Sequence, residues 1–161
     1  MSSSARGVYI LVFRVSKDLT VAVGSLGDIH LLKGLYSYIG SARGPGGIGA
    51  RISHHIRKGK RRPWWHIDYI TTLPEVLPIY VVYAETREDV EPLLAQQMGS
   101  APCWRGAVEG FGSTDRGSRT HLFYCICCEE MCISSIATVF KALGLEPRIE
   151  GLGQDAEYRM H

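Results

Sequence analysis

Between Asp28 and Asp68 this sequence has no acidic residue at all. The 39 positions in between carry eight basic ones: Lys33, Arg43, Arg51, Arg57, Lys58, Lys60, Arg61 and Arg62. The rest of the chain sets ten Lys/Arg against all 16 Asp/Glu, so a net charge of +2 hides a segment of +8. A basic, acid-free segment in a near-neutral protein points to one face for a polyanion, with a solvated basic helix end as the plain alternative. Long apolar runs are missing too. None approaches the roughly 18 residues that a membrane-spanning helix requires. The polar start MSSSAR and the short apolar run over 7–13 do not make a secretory signal, so a cytoplasmic protein is expected. An even cysteine framework is also lacking. There are five cysteines, Cys103, Cys125, Cys127, Cys128 and Cys132, four of them within eight positions.

What is present suits one domain over residues 1–161: a core of 7–98 and a C-terminal extension of 99–161. GVYILVFRV at 7–15 is β-branched and aromatic and reads as a strand. TVAVG at 20–24 reads as a second, and 29–32 with 35–40 as a third, broken by a bulge at Gly34, which makes an antiparallel meander. Ile48, Ile52 and Ile56 recur every four residues and predict a helix over 48–59, with Arg51 and His55 together on another stripe. HIDYIT at 66–71 is a short strand or a turn of helix. PIYVVYA at 78–84 is a strand. Thr86 is a candidate N-cap for a helix over 86–98. HLFYCICC at 121–128 reads as a strand, 133–144 as a helix, and the polar 145–161 as poorly ordered. The predicted class is a mixed α+β fold: a small central antiparallel sheet flanked by helices.

One set of residues carries chemistry. Gly7-Val8-Tyr9 opens the first strand, and Tyr38-Ile39-Gly40-Ser41-Ala42 closes the third. Gly44-Pro45-Gly46-Gly47 follows, then Arg51, His55, and Trp65-His66-Ile67-Asp68-Tyr69. In this order, over residues 7 to about 124, the chain resembles the GIY-YIG nuclease superfamily. The resemblance is closest to a largely archaeal branch with YIGSA-x-GPGG-x-x-x-R-x-x-x-H followed by WHIDY, sometimes fused to a DNA-repair glycosylase.

The resemblance implies a metal-dependent endonuclease that hydrolyses phosphodiester bonds in DNA, in repair or recombination. Tyr9 and Tyr38 would position or deprotonate the water, Arg51 would hold the scissile phosphate, and His55 would take or relay a proton. One Mg²⁺ or Mn²⁺ is expected. Duplex or branched DNA is the expected partner, with a repair protein as a candidate second one and no membrane. Arg43, Gly46, Gly47, His54, Arg57, Lys58, Lys60, Arg61 and Arg62 would contact the nucleic acid. The glycines would leave helix N-terminal amides open to phosphate. Trp64 and Trp65 read as a hydrophobic lid or core, and His66 with Asp68 as a structural pair.

Two departures stand out. The family's metal-binding glutamate lies about two turns into the helix after the central strand, and the apolar pattern of ETREDVEPLLAQQM puts that position at Gln96, which cannot supply the charge. Glu91 is the nearest helical candidate for the metal. Members of the branch also carry FG-x-S-D-C-x-C-x-x-H-L-F, where this chain has Arg116 and Ser118 in place of both cysteines. For the later cysteines core thiols are favoured, with a disulfide or zinc left open. Two other functions compete with the nuclease. One is a nucleic-acid-binding module with the same fold and little or no activity. The other is a small phosphate-ligand protein, although its glycine loop lacks the Lys-Ser/Thr ending of a P-loop.

Overall fold

The structure is a computed structural model and describes residues 4–59, 63, 65–112 and 119–152. Its elements in order are β1 (Gly7–Val15), β2 (Leu19–Ala22), β3 (Asp28–Leu31), β4 (Gly34–Ala42), α1 (Gly47–Ile56), α2 (His66–Thr71), β5 (Val76–Glu85), α3 (Glu91–Ser100), β6 (Trp104–Gly106), β7 (Leu122–Cys125), α4 (Glu129–Ala142) and β8 (Arg148–Gly151).

Six strands form one antiparallel sheet in the order β6-β7-β4-β1-β5-β8. β1 is central and covered on both faces, which is why its sequence is a nearly unbroken apolar run. Its side chains still alternate. Tyr9, Leu11, Phe13 and Val15 share one face with Tyr36, Tyr38, Val81 and Tyr83, packed against Ile48 and Ile52 of α1 and Ile67 and Ile70 of α2. Val8, Ile10 and Val12 face the other way, onto Leu94 and Met98 of α3 and Ile136 and Phe140 of α4. The mixed α+β class is therefore as expected, and the residues after 98 add β6, β7 and β8 to the same sheet.

The meander is not. β2 and β3 pair only with each other, in a separate two-stranded sheet, and β4 runs along the whole of β1. Gly34 starts a new strand rather than a bulge. Its φ is +147°, and the Tyr124 ring occupies the space a Cβ would need. The helix expected from Thr86 starts later, at Glu91. Thr86 instead accepts the Glu88 N–H in a turn at 3.1 Å, and Pro92 falls in the first helical turn, where its missing N–H costs nothing. The segment 66–71 is helical. Residues 148–151, expected to be poorly ordered, pair with β5.

The favoured reading of the cysteines as core thiols is also corrected. Cys103 pairs with Cys127 and Cys125 with Cys132, with Cα separations of 5.2 and 6.2 Å, inside the ordinary disulfide range. The strand ends at Cys125, and the turn into α4 brings these residues together. Cys128 is an exposed free thiol. No helix among the described residues is long and apolar enough to cross a membrane.

Candidate active site

Antiparallel pairing sets Tyr9 opposite Gly40 and Leu11 opposite Tyr38, so the two tyrosines are diagonal neighbours on one face. Gly40 closes the YIG motif for a steric reason: any Cβ there would run into the Tyr9 hydroxyl and ring. The close approach is that of one tyrosine to its neighbouring strand.

α1 lies across this face. Gly46 and Gly47 enter it with φ of +84° and +62°. The Gly47 N–H donates to the Gly44 carbonyl (3.2 Å) and the Ile48 N–H to the Ala5 carbonyl (2.8 Å). Two of the first amides expected to be open to phosphate are therefore already used, because the chain preceding β1 packs against the glycines.

From α1, His55 reaches the Tyr9 hydroxyl with Nε2 at 2.7 Å. Its Nδ1 lies 2.9 Å from Asp68 Oδ1, and His54 Nε2 lies 3.2 Å from Asp68 Oδ2. The Trp65 N–H donates to the same Oδ2 at 3.0 Å, so Asp68 also caps α2. The expected His66–Asp68 pair does not form. His66 Nδ1 accepts the Gly112 N–H at 2.8 Å, and Asp68 turns to the two histidines of α1 instead. Arg51 donates to the Ser41 carbonyl at 2.7 Å and stacks on the Trp65 ring, 4.1 Å from its centroid. Trp64 lies outside the described residues.

α3 begins at Glu91 and brings that carboxylate to Ser41 of β4. Glu91, at its first turn, accepts the Ser41 hydroxyl at 2.7 Å and lies 3.3 Å from His121 Nδ1. Its charge is felt by Tyr9 and Tyr38. Gln96 is exposed and lines a separate cleft of about 590 Å³ between α3 and β6, which none of Tyr9, Tyr38, Arg51 or His55 borders. Gln96, where the apolar pattern of the helix put the family's glutamate, therefore lies away from the tyrosines, and Glu91 is the carboxylate beside them. Among the described residues no group of three His, Cys, Asp or Glu side chains is arranged to hold a metal ion. A single carboxylate still suits Mg²⁺, which keeps most of its waters.

Sequence reasoning missed two members of the site. Asp68 is favoured from sequence as a structural partner of His66 rather than as a catalytic group. His121, expected only as the first residue of a strand, is fully buried beside Glu91, held by backbone bonds to Ile39 and Phe111. Sequence offers no local signal for either, since their partners are 13 and 30 positions away in the chain.

Of the basic residues, Arg51 and His54 border a cleft of about 270 Å³ together with Gly44, Gly47 and Trp65. Arg43 is exposed and donates to the Arg87 carbonyl at 3.3 Å. Arg57 is exposed. Lys58 is committed to the carbonyls of Thr71, Leu73 and Val76 around the end of α2. Lys60, Arg61 and Arg62 lie outside the described residues.

Burial sets the electrostatics. It pushes the Tyr9 hydroxyl well above its usual pKa, and Tyr38 likewise, with Arg51 opposing in both cases. Both act as neutral hydroxyls near pH 7. Burial also lowers the His55 pKa below its ordinary 6.5, with the Asp68 hydrogen bond opposing. Folded His55 is therefore neutral where unfolded His55 takes a proton. As pH falls below about 6.5 the unfolded state binds the extra proton, and stability drops by up to about 1.4 kcal/mol per pH unit until the folded pKa is reached. Urea midpoints from pH 7 to 5 should fall more steeply for the wild type than for His55→Gln. Parallel curves would mean His55 is not the group concerned.

The chain belongs to the DUF123 family. The model for that family, described as a domain of unknown function, covers residues 8–145, from β1 to just past α4. Every residue of the candidate site falls within the DUF123 match. No curated protein and no solved structure matches the chain.

Proposed function

We propose that this DUF123 protein is a metal-assisted endonuclease acting on DNA. One observation carries the reading: Tyr9, Tyr38, Arg51, His55 and Glu91, drawn from β1, β4, α1 and α3, gather at one place on the sheet. Phosphodiester hydrolysis needs an activated water and cationic stabilisation of the phosphate. Tyr9, bonded to His55, is placed to handle the water's proton. Arg51 offers a planar fork at the mouth of a glycine-lined cleft. Glu91 would hold one Mg²⁺ or Mn²⁺, which would neutralise charge on the phosphate. DNA repair or recombination is the setting that the family resemblance suggests.

A nucleic-acid-binding module with little or no activity is the second reading. It is favoured by the burial of the tyrosines: Tyr9 is 1% and Tyr38 4% exposed, which leaves little open surface at either hydroxyl. Nicking and cleavage of labelled duplex, flapped, branched and single-stranded DNA with Mg²⁺ and Mn²⁺ separates the two. Wild-type cleavage that falls by about 10² or more in Tyr38→Phe supports the nuclease. Steeply salt-dependent binding with no cutting of any substrate supports the module.

A further inference from the structure

Asp68 has a definite protonation pattern imposed on it by its neighbours. The Trp65 amide can only donate, so Asp68 Oδ2 accepts from it at 3.0 Å. Hydrogen bonds of this kind favour the ionised carboxylate, which is an acceptor at both oxygens. His55 Nδ1, 2.9 Å from Oδ1, must then carry a proton. A neutral imidazole with its proton on Nδ1 has a lone pair on Nε2. That lone pair faces the Tyr9 hydroxyl at 2.7 Å, so Tyr9 donates and His55 accepts. The direction of this chain, Tyr9 to His55 to Asp68, is set from its far end. Asp68 and His55 are both 0% exposed, so bulk water does not compete for these positions.

We propose that Asp68 is a positioning residue of the hydrolysis, fixing His55 in the tautomer that can take the Tyr9 proton. This rests on the nuclease reading. In the step, a proton leaves the attacking water for the Tyr9 oxygen as the Tyr9 proton passes to His55 Nε2. The water oxygen forms the new P–O bond. The bond to the leaving strand breaks with its electron pair on the leaving oxygen, which takes a proton from solvent. The imidazolium formed at His55 is stabilised by the Asp68 carboxylate. The Tyr9 phenolate is never formed free, in keeping with its raised pKa.

Asp68→Asn has nearly the same shape but presents an N–H where an acceptor stood. With the Asn oxygen kept by the Trp65 amide, its NH₂ would face His55 Nδ1. The ring would then place its proton on Nε2 and donate to Tyr9, reversing the chain. Long-range ¹H–¹⁵N spectra of labelled protein read the tautomer directly. The wild type should show His55 protonated on Nδ1, and Asp68→Asn on Nε2. Single-turnover cleavage by the variant should fall by about 10²–10⁴ with little change in DNA affinity, as when the orienting carboxylate of a histidine base becomes an amide. A wild-type His55 protonated on Nε2 would overturn the assignment, and this measurement needs no variant to fold. So would a flipped tautomer with an unchanged cleavage rate. A wild type with the expected tautomer that cuts no nucleic acid would instead overturn the nuclease reading, and with it the catalytic role of Asp68.

Discussion

On the nuclease reading, Arg51→Ala is expected to lower single-turnover cleavage about 10²–10³-fold, the usual loss when one preorganised donor to a developing negative charge is removed. The guanidinium is held before any phosphate arrives. One arm donates to the Ser41 carbonyl at 2.7 Å, and the cation stacks over Trp65 at 4.1 Å. This rigidity is what makes a donor effective in the transition state, since no reorganisation is left to do. The fold should tolerate the change. One hydrogen bond to a carbonyl and one stacked cation together represent about 1–2 kcal/mol. Arg51→Lys keeps the charge and loses the fork, so its rate should fall between the two. Rate constants equal to wild type in both variants would remove Arg51 from the reaction.

The second large effect concerns stability. Reduction of the two disulfides should lower the unfolding free energy by several kcal/mol. Cys103–Cys127 and Cys125–Cys132 close loops with sequence separations of 24 and 7. The chain-entropy model assigns them about 3.5 and about 2.4 kcal/mol. Against the usual total of about 5–15 kcal/mol for a domain, losing both would leave a marginal protein. Cys125–Cys132 ties β7 to α4, and Cys103–Cys127 ties the turn before β6 to the turn after β7, at the edge of the sheet that carries Tyr38. Urea unfolding with and without a thiol reductant measures the loss. Thiol labelling of the denatured, unreduced chain should find one reactive group, Cys128. Five reactive thiols would show that the bridges do not form.

Much of the site was legible because its parts obey local rules. Tyr9 and Tyr38 sit in strands whose composition announces them, and Arg51 and His55 are four apart on a helix marked by three isoleucines. Spacing alone puts such pairs on one face. The mixed α+β class followed from the same periodicities. The errors came where a local signal was overridden. Thr86 looked like an N-cap, but Pro92 fits only the first turn of a helix, so α3 starts at Glu91, whose carboxylate accepts from Ser41 on β4. Lys58 looked like a phosphate contact, but its ammonium is taken by carbonyls from the end of α2. Asp68 looked like a partner for His66, two residues away, but the two side chains leave α2 in different directions.

By itself the sequence determined that this protein has a central apolar strand, a glycine loop leading into a basic helix, and tyrosines at fixed places on paired strands. These are consequences of side-chain periodicity and backbone freedom, which act over a few residues. Only the tertiary structure decided that Glu91 and His121 join the tyrosines, that Asp68 closes on both histidines of α1, and that four cysteines pair. Each of those contacts joins different elements. Their partners are chosen by which faces the helices bury against the sheet, a matter of packing that no local stretch of the chain encodes.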